Sequence, residues 1–309
     1  MWTTRRSSTP AAWPLIAVAA GRNLLRMSRS KQPEAAVRVA RRAWVPSAQA
    51  ADLAGRCAAL LDSSAQDTAI SSLTAGRLRG LWLPDAVDDR IHVATATPER
   101  AGRLMTRSQR PELISHRFQL RSCDYEMVDV LLVTSIARTW RDLASVLSLP
   151  DLVAAGGSAL RLGVTREELV DVLRASSRRH NAKRAYAALE LLDERSRSRP
   201  ESHLRVAISG PDMPRFEVNV AIYRSEGGWL AEPDLSLEEA RLALEYQGSD
   251  HATLKRMRKD ITRFTDMRRD EWLTIPYGPA EVFGEPYLIK PEIRHLIGIR
   301  APRLLVAFR

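Results

Sequence analysis

Residues 233–247, with the sequence PDLSLEEARLALEYQ, carry the strongest indication of the fold. This stretch places Asp234 before an apolar run and, after ten intervening residues, Glu245 and Gln247 in a second run. Because successive side chains point to opposite faces of a strand, Glu245 and Gln247 are predicted to share one face. If residues 235–241 connect two strands, Asp234 returns beside Glu245 on that face. Two carboxylates placed in this way, together with waters, are what Mg²⁺ takes when phosphate supplies further oxygens.

The residues around this stretch predict a helix, a three-strand meander, a second helix and a last strand. In the second helix, apolar side chains recur at spacings of three and four, which is typical of an amphipathic helix. Alternating apolar residues bounded by turn residues predict the strands. The predicted elements are helix 201–208, strands 216–223, 229–235 and 242–246, helix 251–267 and strand 271–276.

Before residue 196 the sequence also predicts helices and strands, but in a different order from the one just described. Thr165 and Glu168 have the spacing of a capping box, and Thr134 or Ser135 can cap the helix that follows. The polar segment Ser196–Pro200 is the best internal boundary. We therefore predict an α/β chain with a basic leader at 1–36, a mixed helix and strand region at 37–195 and a second domain at 196–309. The upstream elements are strands 37–46, 90–95, 113–120 and 125–133, and helices 48–61, 71–83, 136–147, 165–173 and 182–192.

Composition excludes several classes of protein. With 309 residues, 45% of them hydrophobic, the chain is not a disordered or collagen-like sequence. Cys57 and Cys123 lack neighbouring cysteines, which excludes a zinc knuckle and favours a reduced, cytoplasmic compartment. No apolar run reaches the roughly 18 residues that a membrane span needs, so we expect no membrane partner.

The net charge of +10 is concentrated at the amino terminus, where the first 50 residues carry nine cations and one anion. Arg5 and Arg6 precede an apolar run at 11–20 that superficially resembles a secretion signal. That run contains Pro14, and no cleavage site of small residues follows it. A poorly ordered basic leader is the favoured interpretation, and a mis-started reading frame with Met27 as its start is the alternative.

Three motifs together resemble a known family. They are RPESHLR at 199–205, LALEYQGSDH at 242–251 and DITR at 260–263. They are similar to the PD-(D/E)XK nuclease superfamily, and more narrowly to the actinobacterial domain of unknown function related to very-short-patch-repair endonucleases. Upstream, residues 78–81, 91–93, 135–142 and 185–194 resemble the amino-terminal region of the same proteins, which are described as AbiEi-like components of type IV toxin–antitoxin systems.

The resemblance implies a restriction-endonuclease-like second domain and assigns roles within it. Asp234 and Glu245 become ligands of Mg²⁺ or Mn²⁺, Glu201 becomes the helix carboxylate of the site, and His251 becomes a group that supports the ligands or transfers a proton. Gln247 departs from the pattern, because the superfamily often has lysine there and the narrower family often has aspartate. Glutamine orients a water by hydrogen bonds but contributes no charge. The winged helix of the family is also truncated, since only the strand at 37–45 precedes the middle region.

The second helix supplies further candidates. His251, Lys255 and Arg258 lie at helical spacings of four and three, and this cationic stripe beside two carboxylates suits the phosphates of DNA. The resemblance makes Asp260 and Arg263 a supporting pair. Each of these features also has a purely structural explanation. Asp260 and Arg263 would form a surface ion pair, and His251 would be an ordinary exposed residue. Glu201 would favour its helix N-terminus, and the Pro-Asp dipeptide would precede a turn.

These observations lead to an expected Mg²⁺-dependent endonuclease acting on DNA. The alternative is a non-catalytic, antitoxin-like DNA-binding regulator that keeps the nuclease scaffold, and Gln247 and the truncated winged helix favour it. A decayed reading frame without current function is a third possibility. In the first two cases DNA is the expected partner, and the resemblance adds a cognate toxin.

Overall fold

The computed structural model describes residues 36–40, 43–46, 52–61, 68–95, 111–116, 120–175, 181–248 and 254–306; for most of 36–46 and for 254–260 it describes the backbone alone. Helices and mixed sheets alternate through these residues, which confirms the predicted α/β class. The predicted leader lies outside the described residues, apart from Ala36. In the described part of the chain, no helix is long and apolar enough to cross a membrane.

The upstream region begins with a hairpin and continues into a mixed sheet. The strands are β1 (Ala36–Ala40), β2 (Ala43–Pro46), β3 (Thr68–Ile70), β4 (Ile91–Thr95), β5 (Leu113–His116), β6 (Tyr125–Val128) and β7 (Leu131–Thr134). The mixed sheet has the order β5-β4-β3-β7-β6.

Two segments that the sequence predicts as single strands each fold into a hairpin of two strands. The apolar alternation at 37–46 is divided between β1 and β2, where Val37 pairs with Val45 across an antiparallel ladder. The predicted strand at 125–133 turns at Asp129, whose φ of 53° lies in the left-handed region that ends a strand. Both errors arise because a periodicity of two does not reveal where a chain reverses.

Helices cover this sheet and form a core of their own around Trp140, which is fully buried. They are α1 (Leu53–Leu61), α2 (Ser72–Leu78), α3 (Ile136–Leu143), α4 (Leu149–Arg161), α5 (Arg166–Arg174) and α6 (Ala182–Glu190). The capping box of Thr165 and Glu168 and the cap by Ser135 are confirmed. At Gly156 the backbone approaches Trp140 so closely that a Cβ would lie 2.8 Å from its Nε1 and 2.5 Å from Leu192 Cδ2.

A buried ion-pair network joins α3 to the single-turn 3₁₀ helix Ser122–Asp124 that precedes β6. Arg138 donates from Nη1 to Asp124 Oδ2 at 2.8 Å and from Nε to Asp142 Oδ2 at 2.9 Å. All three side chains are buried. The motif SxxRTxxD at 135–142 thus caps α3 with its serine and satisfies two buried carboxylates with its arginine.

The downstream region contains a second mixed sheet. Its elements are α7 (Arg199–Ile208), β8 (Glu217–Val218), β9 (Ile222–Tyr223), β10 (Trp229–Ala231), β11 (Leu235–Leu237), β12 (Leu242–Tyr246), α8 (Leu254–Arg269), β13 (Leu273–Tyr277), a π-helical turn (Ala280–Gly284), α9 (Pro286–Arg300) and α10 (Pro302–Val306). The sheet order is β13-β12-β11-β8. β8, β11 and β12 pair antiparallel, and β13 joins β12 in parallel after the α8 connection.

The meander differs in detail from the prediction. The predicted strand at 229–235 breaks into β10 and β11 at Pro233, which has no N–H to donate to a ladder. The predicted strand at 216–223 breaks at Asn219, whose φ is 47°. As a result β9 and β10 form a separate hairpin outside the sheet.

Segment 196–200, the predicted boundary, lies where the two regions pack together. Helix α7 packs against α4, and Ser196 is fully buried. Asp151 on α4 accepts a hydrogen bond from Arg199 Nη2 at 2.8 Å, and its Oδ1 lies 2.9 Å from His203 Nε2. An ion pair therefore links the start of the downstream region to the upstream helices.

Candidate metal-carboxylate site

The register of the second sheet sets Asp234 beside Glu245. In the antiparallel ladder Leu235 pairs with Leu244, and one further step along both strands places Asp234 opposite Glu245. The Tyr246 N–H donates to Asp234 Oδ2 at 2.7 Å, which fixes the carboxylate against β12. The backbone carbonyl of Asp234 accepts from the Asn219 N–H at 3.0 Å, so the strand break at Asn219 helps to hold this corner.

The electrostatics of the site centre on Asp234. Burial, together with the negative charges of Glu201 and Glu245, raises the pKa of Asp234 to about 6, against the lowering effect of the Tyr246 N–H and the Arg263 charge. The negative charges of Glu201 and Glu245 therefore both act on the Asp234 carboxylate. A divalent cation bound there would lower the cost of ionising Asp234.

Glu245 is buried in β12, with a residue exposure of 6%. Its Oε2 accepts from Arg263 Nη2 on α8 at 2.6 Å, a charge-assisted hydrogen bond. Arg263 thus reaches from the helix to the strand carboxylate. The predicted partner of Arg263 was Asp260, which lies in the part of α8 where the structure describes the backbone alone.

Glu201 lies in the first turn of α7 and is also buried. Its carboxylate accepts three hydrogen bonds, from the Arg197 N–H at 2.9 Å, the Ser198 hydroxyl at 2.8 Å and Asn219 Nδ2 at 2.8 Å. Ser198 in turn caps α7 by accepting from the Glu201 N–H. Glu201 therefore serves the helix N-terminus, as its ordinary structural interpretation states, while its charge still acts on Asp234.

The remaining predicted residues lie at the margin of the site. Gln247 is exposed beyond the end of β12, and its N–H donates to the Tyr277 carbonyl at 2.8 Å. His251 lies outside the described residues. Lys255 and Arg258 belong to the first half of α8, for which the structure describes the backbone alone.

Sequence reasoning missed the residues that support the carboxylates. Asn219 ties Glu201 to the strand break with its side chain, and no motif marked it. The Ser198-x-x-Glu201 spacing is a helix-start signature, and it could have shown how this glutamate is held. The Tyr246 contribution comes from its backbone N–H, which no side-chain pattern reports.

The donor set fits a hard cation. Among the described residues there is no group of three or more His, Cys, Asp or Glu side chains that could hold a metal ion. Mg²⁺ does not need such a group, because it is usually bound through one or two carboxylates while waters and substrate phosphates complete its coordination. The negative charges of Glu201 and Glu245, which act on Asp234, fit such an ion.

Comparison with known proteins gives no match from which a family could be assigned. No family model matches the chain, and neither a curated protein nor a solved structure matches it. The resemblance to the PD-(D/E)XK superfamily therefore stays a prediction that depends on the motifs and on the site described above.

Proposed function

We propose that this chain is a Mg²⁺- or Mn²⁺-dependent phosphodiesterase of the restriction-endonuclease-like type that acts on DNA. The order of elements supports the proposal: α7 precedes three antiparallel strands, α8 follows them, and β13 then joins the sheet in parallel. This order agrees with the helix, meander, helix and strand predicted from the sequence, although β9 and β10 leave the meander as a separate hairpin.

The observation that carries the proposal is the placement of Asp234 opposite Glu245, with the pKa of Asp234 raised by burial and by the neighbouring carboxylates. Burying carboxylates together is costly unless a cation or hydrogen bonds compensate. Carboxyl groups whose pKa values are shifted by burial and by neighbouring charges are typical of functional sites.

The roles of the residues follow from their contacts. Asp234 and Glu245 would hold the metal ion, which when bound activates a water and neutralises charge on the phosphate. Tyr246 fixes the orientation of the Asp234 carboxylate through its N–H, and Arg263 neutralises Glu245 in the metal-free protein. Glu201 adds negative charge that favours a cation.

The test is nicking of supercoiled plasmid with Mg²⁺ or Mn²⁺. Asp234→Asn and Glu245→Gln are expected to abolish cleavage while preserving the fold. Glu239→Gln is the matched control, because Glu239 is exposed in the connection between β11 and β12. Equal cleavage by all variants would reveal a contaminating nuclease and contradict the proposal.

Two observations favour the second candidate, a non-catalytic DNA-binding regulator. Gln247 brings no charge to the position where the superfamily often has lysine, and Glu201 is engaged in capping α7. DNA binding that is unaffected by a chelator, without cleavage under either metal, would decide for this candidate. A cognate toxin is a further prediction of the resemblance, and copurification from cells tests it.

A further inference from the structure

The contact between Arg263 and Glu245 carries an inference about how the site is loaded, and it depends on the proposed function. We propose that Arg263 positions the substrate by exchanging partners. It neutralises Glu245 in the DNA-free protein and binds a DNA phosphate when a metal ion binds that carboxylate. Metal and DNA binding would then be cooperative.

Competition follows from the geometry. Arg263 Nη2 lies 2.6 Å from Glu245 Oε2, so an ion that binds this oxygen must share it with the guanidinium or displace it. The positive charge of Arg263 also acts on Asp234, the other predicted ligand. A divalent ion between the two carboxylates is therefore repelled by a cation a few ångströms away, which lowers its affinity in the absence of DNA.

The two partners differ in their freedom to move. The Glu245 side chain is 8% exposed and belongs to the central strand β12, whereas the Arg263 side chain is 30% exposed on α8. Arg263 is the partner that can swing away without breaking the sheet. Its displacement leaves the Glu245 carboxylate in place for the ion.

DNA offers the displaced arginine a new partner. A guanidinium presents a planar fork of donors that matches phosphate as well as carboxylate, and such pairs are often bidentate. In sequence, α8 carries seven lysines and arginines against two aspartates, so a DNA backbone is attracted to this helix. When the phosphate takes the guanidinium, the repulsion that weakens metal binding falls.

The test measures Ca²⁺ affinity by calorimetry, with and without a DNA duplex, because Ca²⁺ is a hard cation that commonly replaces Mg²⁺ without supporting turnover. Arg263→Gln is expected to bind Ca²⁺ about tenfold more tightly than the wild type without DNA, since a nearby repelling charge is lost. The duplex is expected to raise the Ca²⁺ affinity of the wild type, and Ca²⁺ must raise its DNA affinity by the same factor. In Arg263→Gln this coupling factor is expected to fall towards one.

Two further variants serve as controls. Arg161→Gln removes the same charge from an exposed position at the end of α4, away from the helix proposed to attract DNA, and its Ca²⁺ affinity and coupling are expected to match the wild type. Arg263→Lys keeps the charge and is expected to bind Ca²⁺ weakly without DNA, which excludes a general effect of altering this position. Thermal unfolding of each variant checks that the fold is intact.

The outcomes separate the inference from the proposed function. If Glu245→Gln abolishes Ca²⁺ binding but Arg263→Gln binds no more tightly than the wild type, the metal site stands and the competition is refuted. Weaker binding by Arg263→Gln would make Arg263 a fixed support of Glu245 and would also overturn the inference. If the wild type binds no Ca²⁺ with or without DNA, both the proposed function and the inference fail.

Discussion

Replacing Asp234 with asparagine should make the protein more stable at neutral pH. The pKa of this carboxyl is raised from its usual value of 3.8 to about 6 by burial and by the charges of Glu201 and Glu245. Below about pH 4 the group is protonated in both the folded and the unfolded state. Between pH 4 and pH 6 the folded state binds the proton more tightly, so the free energy of unfolding falls as the pH rises.

The magnitude follows from the size of the shift. A difference of about two pKa units corresponds to about 3 kcal/mol lost once the pH exceeds 6. The substituted asparagine would keep an oxygen for the Tyr246 N–H but would have to place a new amide group. We therefore expect Asp234→Asn to raise the free energy of unfolding at pH 7.5 by about 1–3 kcal/mol and to change it little at pH 4.

Urea unfolding at pH 4, 5, 6 and 7.5 measures this directly, without metal. Glu239→Gln is the control, because an exposed carboxylate should change stability by less than about 0.5 kcal/mol at every pH. A uniform loss of stability at all four pH values would mean that Asp234 is a structural hydrogen-bond partner. The charge argument, and with it the main support for a cation site, would then be refuted.

Two further predictions concern the upstream region. Arg138→Ala leaves two buried carboxylates without their common partner and should lower the free energy of unfolding, measured by chemical denaturation, by about 3–5 kcal/mol. The control Arg121→Ala removes a side chain that is 47% exposed and should lower it by less than about 1 kcal/mol. Equal losses for the two variants would refute the buried-network interpretation. Gly156→Ala inserts a methyl group into close contact with two core side chains and should lower the free energy of unfolding by about 1–3 kcal/mol. Gly157→Ala, whose added Cβ would lie 3.6 Å from the nearest atom, should leave thermal unfolding nearly unchanged. The reverse order of stability would contradict the packing.

The sequence correctly predicts helices whose first residue is fixed by a local signal such as a cap. The capping box at Thr165 and the serine cap at Ser135 lie where expected, because a cap depends on residues within one turn. Helix α4 is missing from the prediction because Pro150 resembles a stop, although proline in the first turn of a helix is favourable. Helix α9 is also missing, although Ile289, Ile293 and Ile297 recur every fourth residue and all three are buried.

The candidate site was predictable in part for the same reason. Asp234 and Glu245 are joined by a short connection, so strand alternation and one turn bring them together. Arg263 lies 18 positions from Glu245, and Asn219 lies 18 positions from Glu201. Contacts across such distances depend on how α8 and the strand break pack against the sheet, and local periodicity carries no information about that packing.

The energetics of the site favour a ligand over a purely structural explanation. A carboxylate that only closed the β11–β12 corner would need one hydrogen bond, and asparagine could accept it from the Tyr246 N–H without a charge. The chain instead places Asp234 where burial and the charges of Glu201 and Glu245 outweigh the Tyr246 N–H and the Arg263 charge, so the pKa of Asp234 is raised. Sequences that violate a local rule of stability usually do so at functional sites. A cation bound between Asp234 and Glu245 would recover this cost, and the same ion would release Arg263 for the phosphate.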